Sequence, residues 1–274
     1  MSAPLLQVEG LTKSFGRGQF ESLVVDGVGF ELHAGGSLGI VGESGSGKTT
    51  TARMLIGLER PTAGRITLDG EDHTHPARSV KALRARGRQI QIVFQDPYTS
   101  LDRRQRIGDC LAEVLRVHFR LGRAEVGARV RELGQLVGLD ERQLRALPKA
   151  LSGGQRQRVA IARALAADPK IVILDEAVSA LDVSIQAQIL NLLADIRERK
   201  GVSYLFISHD LAVIRQITDH TIVMRHGKVV EAGPTAQVLD NPTHPYTRLL
   251  RDSVPRADWT PGAHAATEPQ EQAR

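Results

Sequence analysis

Eight residues, Gly42-Glu43-Ser44-Gly45-Ser46-Gly47-Lys48-Thr49, spell G-x-x-x-x-G-K-[ST] and restrict the folds open to this chain more than any other stretch. A loop of this kind works only between a strand that delivers it and a helix that leaves it, and both are predicted. Ser37-Leu38-Gly39-Ile40-Val41 is a short apolar run of the sort found in buried parallel strands. Thr50 to Leu58 has helical spacing, with Met54, Leu55 and Leu58 on one side. The glycines let the backbone wrap a chain of phosphates without Cβ clashes, so that successive N–H groups and the helix N-terminus point at negative charge. Lys48 adds a cation toward the β- and γ-phosphates, the Thr49 hydroxyl suits Mg²⁺, and Thr50 carries the cradle into the helix.

Upstream, Leu5 to Val8 and Val24 to Leu32 alternate apolar and polar residues and read as antiparallel strands, with Leu11 to Gly16 between them. Phe15 in that connection either stacks on an adenine ring or joins the core. Downstream, Arg65 to Leu68 is a strand, and the basic stretch from Glu71 to Arg88 reads as a solvated face. Gln89 to Phe94 is predicted as a central strand whose carboxyl end delivers Gln95 to the side of the sheet where α/β folds bind ligands. Gln95 is therefore a candidate to reach Mg²⁺ or an attacking water.

From Ile107 to Leu147 the spacing becomes helical, with Leu111, Val114 and Leu115 in one stripe and Val126, Val130, Leu133 and Val137 in the next. This predicts an all-helical lobe, about 105–150, inserted into an α/β core. Pro148 closes it. Ser152-Gly153-Gly154-Gln155 then repeats the logic of the first loop, with small residues and free N–H groups opening a helix through Val159, Ile161, Ala162 and Leu165. Two such helix starts in one chain suggest two chains meeting around shared nucleotide.

Ile171-Val172-Ile173-Leu174 is a continuous apolar run, as expected inside a parallel sheet, and it ends in Asp175-Glu176. Asp175 suits Mg²⁺, and Glu176 suits polarising the water that attacks a γ-phosphate. Ser179-Ala180-Leu181-Asp182 leads into a helix from Val183 to about Lys200, with Ile185, Ile189, Leu192, Leu193 and Ile196 at core spacing. Ser203 to Ile207 is another buried strand, and it sets His209 at a strand's carboxyl end, where the ring is either structural, as a lone His usually is, or a candidate for N–H contact with a γ-phosphate. Thr221–Met224 and Lys228–Glu231 pair around His226-Gly227; Pro234 to Leu239 and the segment after Asn241 read as short helices.

Composition removes several alternatives. No apolar run approaches a membrane span, and Met1-Ser2-Ala3-Pro4 lacks the features of a signal peptide, so a cytosolic address is expected. Cys110, the single cysteine, rules out an intrachain disulfide and is expected to be a small buried hydrophobe. The net charge of +5 is spread along the chain and fits an anionic membrane surface as well as nucleic acid. After about Pro255 the polar sequence, with scattered Pro, Gly and Ala, reads as disordered.

In order and spacing these residues resemble the ATP-binding subunits of ABC transporters over roughly Leu5 to Arg251. The resemblance makes Phe15 the adenine-stacking aromatic, Gly42 to Thr49 Walker A, Gln95 the Q-loop, Leu151 to Gln155 the signature, and Ile171 to Asp175 Walker B. Glu176 follows as the catalytic glutamate, Ser179 to Asp182 as the D-loop, and His209 as the switch histidine. Phe94-Gln95-Asp96-Pro97-Tyr98-Thr99-Ser100-Leu101, Val178 to Gln188 and His244-Pro245-Tyr246-Thr247-Arg248-Leu249-Leu250 are similar to the oligopeptide/dipeptide importer ATPases, a group that includes nickel and glutathione importers. One ATPase of a pair in that group often carries a C-terminal cysteine cluster, which this chain lacks. Three departures stand out: Ala177 where Pro is common, Gly36 where Glu is common, and Asp102-Arg103 for Asn-Pro. The first bears on how rigidly Glu176 is held.

The resemblance implies an α/β P-loop NTPase with a mixed, largely parallel core sheet, an antiparallel β subdomain and an inserted helical subdomain. One nucleotide-binding domain is expected over 5–255, followed by a tail over 256–274. It implies ATP and Mg²⁺ as ligands, with Lys48, Gln95, Glu176 and His209 catalytic and Thr49, Gln95 and Asp175 at the metal. The nucleotide is expected between Walker A of one chain and Ser152, Gly153, Gly154, Gln155 and Asp182 of another, in a heterodimer of homologous ATPases or a homodimer. Further expected partners are two transmembrane permease subunits at the inner membrane's cytoplasmic face and, indirectly, an extracytoplasmic solute-binding protein. No nucleic acid is expected. An exporter ATPase, and a soluble ABC ATPase acting on nucleic acid or the ribosome, remain the alternatives at this point.

Overall fold

The computed structural model of the chain describes residues 3–16, 18–96 and 101–253. The expected tail and the segment 97–100, including Tyr98, lie outside them. In chain order the elements are β1 (Leu6–Phe15), β2 (Ser22–Leu32), β3 (Ser37–Val41), α1 (Lys48–Leu55), β4 (Ala63–Leu68), β5 (Glu71–Asp72), α2 (Val80–Gly87) and β6 (Ile90–Val93). The helices α3 (Ile107–His118), α4 (Arg123–Leu136), α5 (Glu141–Arg145) and α6 (Gly153–Leu165) follow, then β7 (Ile171–Asp175), α7 (Val183–Lys200) and β8 (Ser203–Ser208). Last come α8 (Leu211–Ile217), β9 (His220–Arg225), β10 (Lys228–Pro234), α9 (Thr235–Asp240) and α10 (Pro245–Asp252).

Two sheets result. An antiparallel sheet has the order β2-β1-β4-β5, and a mixed sheet the order β10-β9-β3-β8-β7-β6, parallel from β9 to β6 with β10 antiparallel at its edge. Every residue of β3, β7 and β8 is buried, and their alternating side chains feed two cores. Leu38, Ile40, Ile171, Ile173, Leu205 and Ile207 share a cluster with Ala52, Met54 and Leu55 of α1 and with the inner face of the antiparallel sheet. Val172, Leu174, Tyr204 and Phe206 belong to the other cluster, with α3, α4, α6, α7 and α8. The phosphate-loop helix and the Ser152 helix thus pack on opposite faces of one sheet.

Several sequence expectations are revised. β1 continues through Leu11–Phe15 by way of register shifts against β2, so this stretch is strand and not a connection. α1 starts at Lys48 and stops at Leu55, and Leu58 is not on its buried side but 65% exposed. The cause is a Schellman ending: Gly57 takes a left-handed φ of 79°, with Gly57 N–H donating to Met54 O and Leu58 N–H to Arg53 O. β6 is an edge strand of the mixed sheet, not a central one.

Nor is the stretch from Glu71 to Arg88 simply a solvated face. In α2 the apolar Val80 and Leu83 are exposed, whereas Arg86 is only 5% exposed. Its guanidinium donates to Leu55 O at 2.7 Å, His73 O at 2.9 Å, His75 O at 3.0 Å and Met54 O at 3.4 Å. A cation at the C-terminus of α1 satisfies orphan carbonyls and opposes the negative end of the helix dipole. Gly57 has no side chain for the same reason, since an added Cβ would lie 2.8 Å from the guanidinium carbon. Arg86→Met should therefore destabilise the fold by about 3 kcal/mol, because charge-assisted hydrogen bonds are lost and buried carbonyls left unpaired. An unchanged urea midpoint would refute that anchoring role.

Candidate functional site

Gly42 and Gly47 have positive φ, at 152° and 100°, and an added Cβ would come within 2.2 Å of Met224 O and 2.7 Å of Val24 O respectively. Only glycine lets the loop lie this close to β9 and β2. The loop closes around Lys48, whose ammonium donates to Gly42 O and Glu43 O, both at 2.7 Å, and reaches Ser46 Oγ at 3.4 Å. Burial pushes the Lys48 pKa down, and the negative charges of Glu176, Asp175 and Glu43 oppose that shift.

Thr49 donates its hydroxyl to Asp175 Oδ1 at 3.3 Å, joining the start of α1 to the end of β7. Burial pushes the Asp175 carboxyl above its ordinary pKa; the Thr49 hydrogen bond opposes this and the Glu176 charge adds to it. Two hard oxygen donors beside the glycine loop and the N-terminus of α1 fit a small divalent cation carried with phosphate. Glu176, next in the chain, has φ 50°, which is uncommon outside glycine and is often found where backbone strain serves a site. Its N–H donates to Ile207 O at 2.9 Å and its carbonyl accepts the Ser179 hydroxyl at 2.9 Å. These bonds hold the backbone at Glu176 with Ala177 in the following position. The Glu176 carboxylate lies 3.3 Å from His209 Nδ1, so β7 and β8 bring the two residues together.

Phe15 ends β1 and is 40% exposed, with the Lys13 ammonium 4.6 Å from its ring centre. It pairs with Ser22, two residues before the Val24 carbonyl that lies against Gly47, and so stands beside the phosphate loop. Gln95 is exposed and follows Val93, which pairs with Leu174, placing it at the same end of the sheet as Asp175 but on the edge. Ser152 caps α6 reciprocally: Gln155 N–H donates to Ser152 Oγ at 3.3 Å and Ser152 N–H to Gln155 Oε1 at 2.9 Å. Gly154 abuts α7, where an added Cβ would meet Ile185 Cγ2 at 2.6 Å. Asp182 and Val183 at the start of α7 are exposed. Cys110 is buried, as expected.

Two supports of the loop were not foreseen. Gly227 N–H, in the β9–β10 turn, donates to Ser46 O at 3.2 Å. Tyr246 Oη accepts from Glu43 N–H at 3.0 Å. The His-Pro-Tyr run was the available signal for the second, read only as a mark of kinship.

A lysine enclosed by its own glycine loop, facing two strand-end acids on a sheet ordered in this way, is the architecture of an ATP-binding cassette. The "ABC transporter" family model matches residues 25–179, and the "Oligopeptide/dipeptide transporter, C-terminal region" model matches 230–273. A Brucella abortus (strain 2308) protein named for peptide import and ATP binding is 50% identical over 233 residues, covering 85% of this chain and 70% of its own length. The oligopeptide transport ATP-binding protein OppF of Bacillus subtilis (strain 168) is 43% identical over 259 residues, covering 94% and 85%. The glutathione import ATP-binding protein GsiA of Escherichia coli (strain K12) is 48% identical over 264 residues, covering 93% of this chain and 42% of that protein. Among solved structures, an ATP-binding cassette in a dimeric post-hydrolysis state bound to ADP and Pi superposes with a TM-score of 0.76 at 28% identity, over 84% of this chain and 98% of that one. The chain belongs to the ABC transporter family as an ATP-binding, ATP-hydrolysing subunit, and within it to the peptide and oligopeptide import group.

Proposed function

We propose that this chain drives import of di- or oligopeptides, or a related small solute, by closing head to tail on a second ATPase subunit around each ATP. The observation that carries this reading is the separation of the two helix starts: Lys48 opens α1 in one apolar cluster, and Ser152 caps α6, which packs in the cluster on the sheet's other face. A polyanion is unfavourable to enclose without donors on every side, and one chain presents only half of them. Lys48 and the N–H groups of the loop and of the start of α1 other than those of Glu43 and Ser46, which are bonded within the protein, hold the phosphates from one side, with Phe15 against the base. Ser152, Gly153, Gly154, Gln155 and Asp182 of the opposing chain hold them from the other. The exposed Val183 belongs to the same meeting surface.

Thr49, Asp175 and Gln95 would hold Mg²⁺, which when bound would neutralise phosphate charge and polarise the transferred group. Glu176 orients and polarises the water, His209 senses the γ-phosphate, and Lys48 stabilises the charge that develops. Nucleotide shifts the pair between open and closed only through its different affinity for the two.

A cleft of about 1630 Å³ between β6 and the helical lobe, lined by Phe94, Asp102, Cys110, Glu113 and Arg163, suits docking of one of two permease subunits. Among the described residues no helix is long and apolar enough to cross a membrane, so attachment to the inner membrane through such subunits is the arrangement proposed. An extracytoplasmic solute-binding protein would deliver the cargo. The importer-named relatives and the C-terminal family match favour import over export.

Uptake of labelled peptides into vesicles holding the chain and its co-purified membrane subunits tests the reading directly. Hydrolysis without uptake of any peptide, nickel or glutathione would overturn the cargo assignment. Gly154→Ala tests the shared site. Its methyl pushes α6 off Ile185, so ATPase of the complex should fall about tenfold or more while ATP affinity of the isolated chain is unchanged. Equal loss of both would place the two helix starts at one intrachain site.

A further inference from the structure

We infer that Tyr246 is a positioning residue for ATP: its hydroxyl fixes the first peptide unit of the phosphate loop, so that the C-terminal helix sets nucleotide affinity. The inference rests on the ATP-binding reading of the loop. The peptide joining Gly42 to Glu43 is held at both ends, its carbonyl accepting from the Lys48 ammonium at 2.7 Å and its N–H donating to Tyr246 Oη at 3.0 Å. Releasing the N–H frees the peptide to rotate, and rotation takes Gly42 O away from Lys48. Glu43, Ser44 and Gly45 are exposed, and the next carbonyl, Glu43 O, is tied only within the loop, accepting from the Lys48 ammonium at 2.7 Å and Ser46 N–H at 3.2 Å, so Tyr246 is the contact that joins this segment to the C-terminal helix.

Tyr246 itself is rigid. It is 2% exposed, its N–H donates to His244 Nδ1 at 3.2 Å, and the Arg225 guanidinium lies 4.7 Å from its ring centre. Arg225 ends β9 just before the turn whose Gly227 N–H holds Ser46 O, so one platform supports both ends of the loop. The start of α10 is latched in turn to β10: Glu231 Oε1 accepts from Thr243 N–H at 2.7 Å and Thr243 Oγ1 at 2.9 Å, and Glu231 Oε2 from His244 N–H at 3.2 Å. A preorganised loop binds more tightly because ATP need not order it.

Tyr246→Phe removes one hydroxyl and keeps the ring. In the full chain with its co-purified partners, the Kd and KM for Mg-ATP should rise about fivefold or more, with kcat within about twofold and the ligand-free melting temperature within about 2 °C. Thr243→Ala, which loosens the latch without touching the loop, should shift KM in the same direction by less and add nothing to Tyr246→Phe. Unchanged Kd and KM, a loss confined to kcat, additive effects, or a KM rise that comes only with a fallen melting temperature would each overturn the inference. Lys48→Ala measured alongside separates the two readings. If it too leaves ATP affinity intact, the loop is not the ATP site; if it alone lowers affinity, only the role of Tyr246 falls.

Discussion

Glu176→Gln is expected to slow ATP hydrolysis by about a hundred- to ten-thousand-fold, the usual span for loss of a residue that polarises the attacking water, while ATP binding survives. The substitution keeps shape and a hydrogen-bonding partner for His209, 3.3 Å away, and removes only the charge. It should not cost stability. Glu176 is one of the charges that hold the Asp175 carboxyl above its ordinary pKa and also one that favours the Lys48 ammonium, so a neutral side chain relieves a repulsion and forfeits an attraction, and the two offset. The variant should therefore melt close to the parent, bind Mg-ATP, and accumulate as a closed ATPase pair, since the step that reopens it is blocked. Single-turnover hydrolysis and sedimentation with and without ATP read both effects. Turnover within about tenfold of the parent would remove Glu176 from the chemistry.

The candidate site's loop, strand-end acids and capping serine were legible in the sequence because their types are constrained by their neighbours in the chain. A glycine loop before Lys48, acids ending an apolar strand at Asp175, and a serine opening the helix at Gly153 all announce themselves locally. Leu58 misled because its spacing continues that of Met54 and Leu55, whereas Gly57 stops the helix through backbone conformation, which periodicity does not register. Arg86 looked solvated because charge within a basic run carries no sign of four distant carbonyls arranged to receive it. β6 read as central because its apolar content reflects burial, and burial is a property of faces as much as of sheet position. Nothing local to Tyr246 points across about two hundred residues to Glu43 N–H; only the fold makes them neighbours. The left-handed Glu176 was likewise invisible, since its strain depends on what β8 and Ser179 supply.

Lys48→Ala should weaken Mg-ATP binding by at least about a hundredfold, and the reason lies in what the lysine already does without nucleotide. Its ammonium is buried, tied to Gly42 O and Glu43 O, and set among Glu176, Asp175 and Glu43, whose charges hold up a pKa that burial pulls down. Alanine leaves those carboxylates facing the phosphates without a counter-cation. Loss of one or two charge-assisted contacts, at about 1.5–3 kcal/mol each, reaches the hundredfold range, given about 1.4 kcal/mol per factor of ten. The same substitution unties the loop's carbonyls, so the ligand-free chain should also lose about 1–2 kcal/mol of stability. Lys48→Arg should fail nearly as badly, because the wider planar guanidinium does not fit a pocket shaped around a single ammonium 2.7 Å from two carbonyls. Calorimetric titration with Mg-ATP decides it. An affinity within about threefold of the parent in Lys48→Ala would mean that nucleotide binds somewhere other than this loop.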